Sequence, residues 1–382
     1  MKYPSAGIFV HLLAKSLKNI GHDVRVITPA DEEKSGVEVL DGIAVHRVWY
    51  APKCLRILAQ RPGGIPAILK TRPYLALMLP LLCLAMALKI ARMQNTCDLI
   101  HGHWMISSVF IWLCNVRRLR KSFVLTCRQH EFDMIGMDFI KNFFIKKCLL
   151  TASHIVSVSE NLTNIMENIL SIYKKTTSLS TIPNGVDTKF FNIGYPDFYK
   201  DTIHILYIGS IIPRKRVDIL IKACKIALDT GCRLQLTIVG DGTDKLKIVN
   251  LIDEYDLGAV VNLEKPVAPS KIPLVMQKCH CLALFSTSEG RPNVVIEAMA
   301  AGRAILATAL PGIQELLGDS GGGYLAPVDD MHALSHMIIT ACQEPERLRY
   351  MGEKARQRIR QLGLSWETTA RAYEQIYHRI TQ

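Results

Sequence analysis

The chain has 382 residues, 49% of them apolar and 21% charged, with a formal net charge of +12. This length favours two domains over one, and the balance is that of a globular protein with a sizeable core. Its 11 cysteines form no C-x-x-C pair and no regular spacing, which excludes a disulfide framework and fits reduced, mostly buried thiols in a cytosolic protein.

No signal peptide is legible in residues 1–14. Residues 7–17, GIFVHLLAKSL, carry apolar side chains at helical spacing, and Gly21 follows as a stop. The run 24–28, VRVIT, reads as a strand, and 37–48 as a strand or hairpin. The stretch 51–93 is basic, with Lys53, Arg56, Arg61, Lys70, Arg72, Lys89 and Arg92. Inside it, 74–88 is fifteen residues without a charge, YLALMLPLLCLAMAL. A membrane span needs about 20 apolar residues, and Pro80 stands mid-run. The expectation is therefore a helix pair or a kinked helix packed in the protein. Contact with a membrane surface is the second reading, because basic residues flank an apolar run.

Residues 98–103, DLIHGH, read as a strand entering a loop. His101 and His103 point the same way on it, but no third metal ligand is near. The strand 123–127, FVLTC, ends in Arg128-Gln129-His130-Glu131-Phe132-Asp133. A basic amphipathic stretch, 139–152, a strand at 155–159 and a helix from Glu160 follow. Turn chemistry in 182–187, IPNGVD, closes this half, with a linker running to about Thr202. Up to Phe190, Lys and Arg number 24 against 13 Asp and Glu; beyond it the numbers are 22 and 21. A basic first half suggests an anionic partner: nucleic acid, an anionic membrane surface or an acidic substrate.

The second half opens with a strand at 203–208, then Gly209-Ser210, a basic turn Pro213-Arg214-Lys215-Arg216, and a helix over 217–228. The segment 234–242, LQLTIVGDG, is a strand with a glycine turn. It lacks G-x-G-x-x-G and so does not argue for a dinucleotide. Cys279-His280-Cys281 lacks the second ligand pair a zinc site needs and reads as the entry to the strand 281–285. Next comes 288–302, SEGRPNVVIEAMAAG, with an acid in the loop, an acid in a helical pattern, and Gly302 as the stop. Glu289 and Glu297 are eight residues apart, which at about 100° per residue leaves them on roughly one side of a loop–helix unit. Ligands bind at this edge of open α/β sheets, and a helix N-terminus there suits a phosphate. Gly321-Gly322-Gly323-Tyr324 ends the last strand region. Two helices close the chain, the last near 366–380.

The string from Glu289 to Gly302 resembles the E-x7-E signature of retaining GT-B glycosyltransferases, the large family 4, group 1 class. The loop Tyr3-Pro4-Ser5-Ala6-Gly7, the step Gly21-His22-Asp23-Val24, the segment 98–103 and the turn 182–187 resemble that family too. The resemblance implies an α/β fold of two doubly wound, Rossmann-like domains facing a cleft. They would be an acceptor-binding domain over 1–186, a nucleotide-sugar-binding domain over 203–365, and a helix over 366–382 crossing back to the first.

It implies a donor site of Gly7, Gly209, Arg214, Lys215, Gly290, Arg291, Pro292, Asn293, Val294 and Glu297. His130, Glu289 and Lys215 would act at the reacting centre. Glu289 and the backbone after it would hold the donor sugar, Glu297 the ribose, and Lys215 the diphosphate. His130 and Asp133 match the family's T-x-HG-x-D loop, but Glu131 replaces its glycine. Ser210 stands where the family has an arginine; Arg214 or Arg216 is the candidate substitute, a bidentate phosphate binder on the same loop.

The implied activity is retaining hexosyl transfer by front-face displacement, from a UDP- or GDP-sugar to a saccharide or lipid-linked saccharide. No metal or cofactor is expected, since no D-x-D motif is present; nor is nucleic acid as a partner. The form YPSxGIFVH resembles enzymes of cell-surface polysaccharide assembly, which places the protein in the cytoplasm, peripheral on the inner face of the membrane. A soluble glycogen- or sucrose-type transferase, a nucleotide-sugar epimerase and a non-catalytic GT-B scaffold are the alternatives.

One departure concerns the start. The family's first strand would precede Tyr3, yet Met1 already falls in the loop. In the sheet order 3-2-1-4-5 that strand lies between 24–28 and 99–101. The expectation is a truncated start; closure of the two flanking strands is the alternative.

Overall fold

The computed structural model describes residues 7–58, 64–115, 121–128, 149, 151–172, 177–199 and 201–382. They divide into two compact units, one of 186–365 and one of 7–185 completed by 366–382.

The unit that begins the chain runs α1 (Ile8–Asn19), β1 (Arg25–Pro29), β2 (Gly36–Leu40), β3 (Ile43–Val48), α2 (Gly64–Thr71), α3 (Leu79–Met93), β4 (Leu99–His103), α4 (Met105–Asn115), β5 (Ser122–Cys127), β6 (His154–Ser157), α5 (Glu160–Ile172) and β7 (Ser178–Thr181). The C-terminal helix Trp366–Thr381 returns to it. β4-β5-β6-β7 form a parallel sheet, and β1-β3-β2 a second one in which β1 pairs parallel and β2 antiparallel with β3. The runs FVLTC and HIVS are apolar on both faces, and β5 and β6 are accordingly buried almost throughout, as parallel strands covered on both sides must be.

β1 and β4 are different. They lie in separate sheets, no described strand stands between them, and both are mostly half-buried. The strands that would flank a central strand have not closed on each other; each is the edge of its own sheet.

The apolar run 74–88 falls in two consecutive helical pieces. A 3-10 turn over Pro73–Met78 leads straight into α3, with Pro80 in the first turn of the helix. There its missing N–H costs nothing, because the first N–H groups of a helix have no intrahelical partner.

The C-terminal helix buries Trp366, Ala370, Tyr373, Ile376 and Tyr377, one stripe at helical spacing, against Leu13, Leu17, Val124, Val156 and Ile182. Its polar tips are satisfied within the same unit. The Tyr377 hydroxyl lies 2.7 Å from His101 Nδ1, and His101 Nε2 lies 2.7 Å from Thr126 Oγ1, which also meets the Tyr373 hydroxyl at 2.9 Å. Burial, aided by the Arg128 charge, pushes the His101 pKa down to about 3. His101 is thus a neutral structural residue.

The 186–365 unit runs β8 (Ile203–Ile208), α6 (Val217–Asp229), β9 (Leu234–Val239), α7 (Lys245–Glu254), β10 (Val261–Glu264), α8 (Ile272–Met276), β11 (Cys281–Leu284), α9 (Asn293–Ala300), β12 (Ala304–Thr308), α10 (Pro311–Leu317), β13 (Gly323–Ala326), α11 (Met331–Gln343) and α12 (Pro345–Gln361). Its six strands are all parallel in the order β10-β9-β8-β11-β12-β13. The order reverses between β8 and β11. Their outgoing loops diverge and leave a crevice at the strands' carboxyl ends.

Candidate active site

The two loops that flank this crevice carry the basic turn and the first glutamate. After β8 the chain passes through Gly209 into a 3-10 turn, Pro213–Lys215, and then α6. A Cβ on Gly240 would sit 2.0 Å from the Gly209 carbonyl oxygen, and one on Gly242 2.1 Å from that of Ile211. Glycine at these two places lets the turn after β9 lie directly on the turn after β8. The turn is also tied to the loop after β11. Thr287 N–H donates to the Arg214 carbonyl at 2.9 Å, and Arg214 Nη1 donates to the Ser288 carbonyl.

These ties bring three charges together across 74 residues of sequence. Lys215 Nζ lies 2.5 Å from Glu289 Oε1, and Arg214 Nη1 lies 3.4 Å from the same oxygen. Glu289 is only 6% exposed. Burial acts to raise its pKa, but the Lys215 and Arg214 charges outweigh it and hold the carboxyl below the ordinary glutamate range. The group is one carboxylate with two cations, so a positive charge is left over beside a crevice. Unbalanced positive charge in a partly desolvated place is suited to an anion such as a diphosphate.

Downstream, a Cβ on Gly312 would fall 1.6 Å from the Gly290 carbonyl oxygen, so α10 starts in direct contact with this loop. Arg291 Nη1 reaches Glu315 Oε1 at 2.6 Å with its side chain 5% exposed. Arg291 is turned inward, and what it presents to the crevice is backbone. Pro292 stands in extended conformation as the cap residue, and Asn293 and Val294 open α9 without a side-chain cap. Gly302, at φ 69°, follows the helix as its stop.

Glu297 is half-buried on α9 and has different neighbours from Glu289. Burial pushes its carboxyl up to about 8; Lys189 opposes this and Asp187 adds to it. The two glutamates thus differ in charge at neutral pH: Glu289 is ionised and Glu297 holds its proton.

The two candidate arginines separate clearly. Arg214 faces Glu289. Arg216, at φ 49°, pairs with Asp329 at 2.5 Å and Asp218 at 3.7 Å. Ser210 accepts the Tyr207 hydroxyl on its carbonyl at 2.8 Å. Gly7 belongs to the other unit, where it caps α1 at φ 75°. His130, with Glu131 and Asp133, lies outside the described residues. Arg128, two positions earlier, is described. Its guanidinium stacks 3.6 Å from the Phe9 ring centroid and donates to Asn184 Oδ1 at 3.3 Å. Sequence reasoning missed Arg128, Glu315 and Asp329, because no local spacing links any of them to its partner.

The Cys279-His280-Cys281 trio serves packing. His280 Nδ1 accepts from the His204 N–H at 2.8 Å, and its ring stacks on Phe198 with centroids 4.2 Å apart. Burial pushes the Cys279 thiol up to about 12.

Two family sequence models match this chain. One, described as Glycosyltransferase Family 4, covers residues 6–190; the other, described as Glycosyl transferases group 1, covers 191–358. The chain belongs to the group 1, family 4 glycosyltransferases. Among curated relatives, an uncharacterized glycosyltransferase of Methanocaldococcus jannaschii is 26% identical over 74% of this chain and 76% of its own length. The N-acetyl-alpha-D-glucosaminyl L-malate synthase of Bacillus anthracis is 24% identical over 99% and 95%.

Among solved structures, a sucrose-phosphate synthase of Thermosynechococcus elongatus superposes with a TM-score of 0.78 at 23% identity, covering 97% of this glycosyltransferase and 92% of that chain. Anabaena HepE, solved with UDP-glucose, gives 0.73 at 17% identity over 98% and 96%. At these identities the structures establish the shared GT-B fold.

Proposed function

We propose that this glycosyltransferase moves a hexosyl group from a UDP- or GDP-sugar to a saccharide or lipid-linked saccharide. The transfer retains anomeric configuration, uses no metal or cofactor, and serves cell-surface polysaccharide assembly on the cytoplasmic side. The observation that carries this reading is the Glu289–Lys215–Arg214 cluster at the carboxyl ends of β8 and β11, with its surplus positive charge.

In this reading Lys215 and Arg214 take the charge that develops on the departing diphosphate, the largest electrostatic demand of the reaction. Glu289 fixes Lys215 and accepts hydrogen bonds from the donor sugar's hydroxyls. Glu297, protonated, both donates to and accepts from the ribose hydroxyls. The acceptor oxygen attacks the anomeric carbon on the side from which the diphosphate leaves. Its proton passes to the leaving oxygen as the carbon–oxygen bond of the donor breaks. The solved complexes of HepE with UDP-glucose support a uridine donor.

Thermal-shift measurements with UDP-, GDP- and ADP-sugars identify the donor, because a ligand that binds only the folded state raises the melting temperature. With that donor, Glu289→Gln should lose at least ~10²-fold in transfer, the scale of one positioned transition-state partner. A chelator should leave the wild-type rate unchanged, and the product should keep the donor's anomeric form. Wild-type turnover in Glu289→Gln, or activity lost to chelator and restored by magnesium, overturns the reading.

A further inference from the structure

The helical stretch Pro73–Thr96 has 24 residues and contains an 18-residue window with a mean hydropathy of 2.1, long and apolar enough to cross a bilayer. Its faces are nevertheless divided. Leu82, Met86, Ala87 and Ile90 are buried in the core of the unit that begins the chain. Leu77, Leu81 and Leu84 are 74%, 46% and 53% exposed. At about 100° per residue, positions 81, 84, 88 and 92 of α3 fall within a stripe roughly opposite the buried one, and Leu77 is exposed in the 3-10 turn that leads into the helix. The stripe is therefore an apolar ridge open to its surroundings, ending at Arg92.

Beside the ridge lies a groove of about 330 Å3 whose lining includes His46, Trp49, Lys89 and Arg92. Trp49 is 62% exposed. His46 Nδ1 is buried without a hydrogen-bond partner among the described residues. Neither Lys89 nor Arg92 forms an ion pair among the described residues. The surrounding sequence deepens the bias: from 42 to 97 there is no Asp or Glu, against eight Lys and Arg.

We propose that the outer stripe of α3 and this basic groove form a docking surface for an anionic phospholipid bilayer. The helix lies in the plane of the interface, with Leu77, Leu81 and Leu84 entering the acyl boundary. Lys89, Arg92 and the exposed Arg72 meet headgroup phosphates, and Trp49 sits at headgroup depth, where amphipathic rings are favoured. Charge selects this occupant over a second copy of the chain. Two such faces pressed together would bring like charges into contact, since the Glu38 carboxylate beside the groove is already paired with Lys34 and Arg47, whereas an anionic bilayer supplies the missing negative charge.

The test is sedimentation of the full chain with vesicles of phosphatidylcholine alone and of phosphatidylcholine mixed with phosphatidylglycerol. Wild type should bind the mixed vesicles more strongly at low salt. Lys89→Ala with Arg92→Ala should lower that partition by about 25-fold, roughly fivefold per cation at an anionic surface, with little change on neutral vesicles. Leu77→Ser with Leu81→Ser and Leu84→Ser should lower binding to both vesicle types by about tenfold or more, the scale of burying a single leucine. Inorganic phosphate at constant ionic strength should release no protein. These side chains point outward, so cooperative unfolding should be unchanged and certifies the variants as folded. Equal binding to neutral and mixed vesicles, wild-type binding by both variants, release by phosphate, or self-association without vesicle binding overturns the proposal. A missing thermal shift with nucleotide sugars would instead count against the transfer reaction alone.

Discussion

Replacing Lys215 by alanine isolates the ion cluster. The change leaves the Glu289 carboxylate buried, with Arg214 at 3.4 Å as its remaining cation. Breaking a buried pair outright costs about 3–5 kcal/mol; with one cation kept, about 2 kcal/mol is expected. For a unit of this size each kcal/mol moves the melting temperature by about 2–4 °C, so calorimetry should show a drop of about 4–8 °C.

The drop should depend on pH, and the sign follows from Glu289. In the wild type its pKa is lowered, so its contribution is present above the unfolded glutamate pKa and fades as pH falls through the folded value. Without Lys215 the upward push of burial gains ground. The variant then does best with Glu289 protonated and loses stability as pH rises. The deficit should be larger at pH 8 than at pH 5. Adding Glu289→Gln to Lys215→Ala should recover most of it. Binding of UDP, measured by calorimetry, should weaken by about 10- to 100-fold, the range of one charge-assisted hydrogen bond. A deficit that is equal at both pH values, or that the double variant does not repair, would refute the assignment of that stability to the cluster.

Two other perturbations read different parts of the site. Gly312→Ala should push the Glu289 loop out of place, since its Cβ would overlap the Gly290 carbonyl oxygen; loss of UDP affinity with a small fall in melting temperature is expected, and unchanged affinity would show that α10 does not hold the loop. Glu297→Gln should flatten stability against pH. The folded pKa of Glu297 is raised to about 8 from an ordinary value near 4.5, so its contribution is complete below the unfolded value and disappears as pH rises toward 8. Unfolding free energies of wild type and variant that run parallel from pH 5 to pH 8 would contradict this.

Much of the 186–365 unit was legible because its signals are local. A short apolar run, a glycine turn and a helical pattern recur within a few residues of one another, and parallel strands buried on both faces leave little choice of register. Glu289 and Glu297 could be singled out from one string. What set them apart could not, since the Lys215 contact spans 74 residues and the environment of Glu297 is fixed by the turn Thr188–Asn192 on another element. Arg214 and Arg216 were indistinguishable by type and spacing. The left-handed backbone at Arg216 sends one to Asp329 and leaves the other with Glu289. Pro80 stands where the α-helical piece begins, which its position within an apolar run does not show. The divided character of α3 was half visible: periodicity shows a stripe, but only packing shows which stripe stays uncovered.

The return of the C-terminal helix has a consequence for how the protein is made. Val124, Val156 and Ile182 leave the ribosome well before the side chains that cover them, from Trp366 to Tyr377, have been made. At 5–20 residues per second, the intervening stretch takes roughly 10–40 s to synthesise. Throughout that time the first unit carries an open apolar face, while the 186–365 unit, continuous in sequence, can fold as it emerges. The unit begun before the other is thus completed after it, and any nascent chain that stalls before Trp366 would present that bare face to chaperones and proteases.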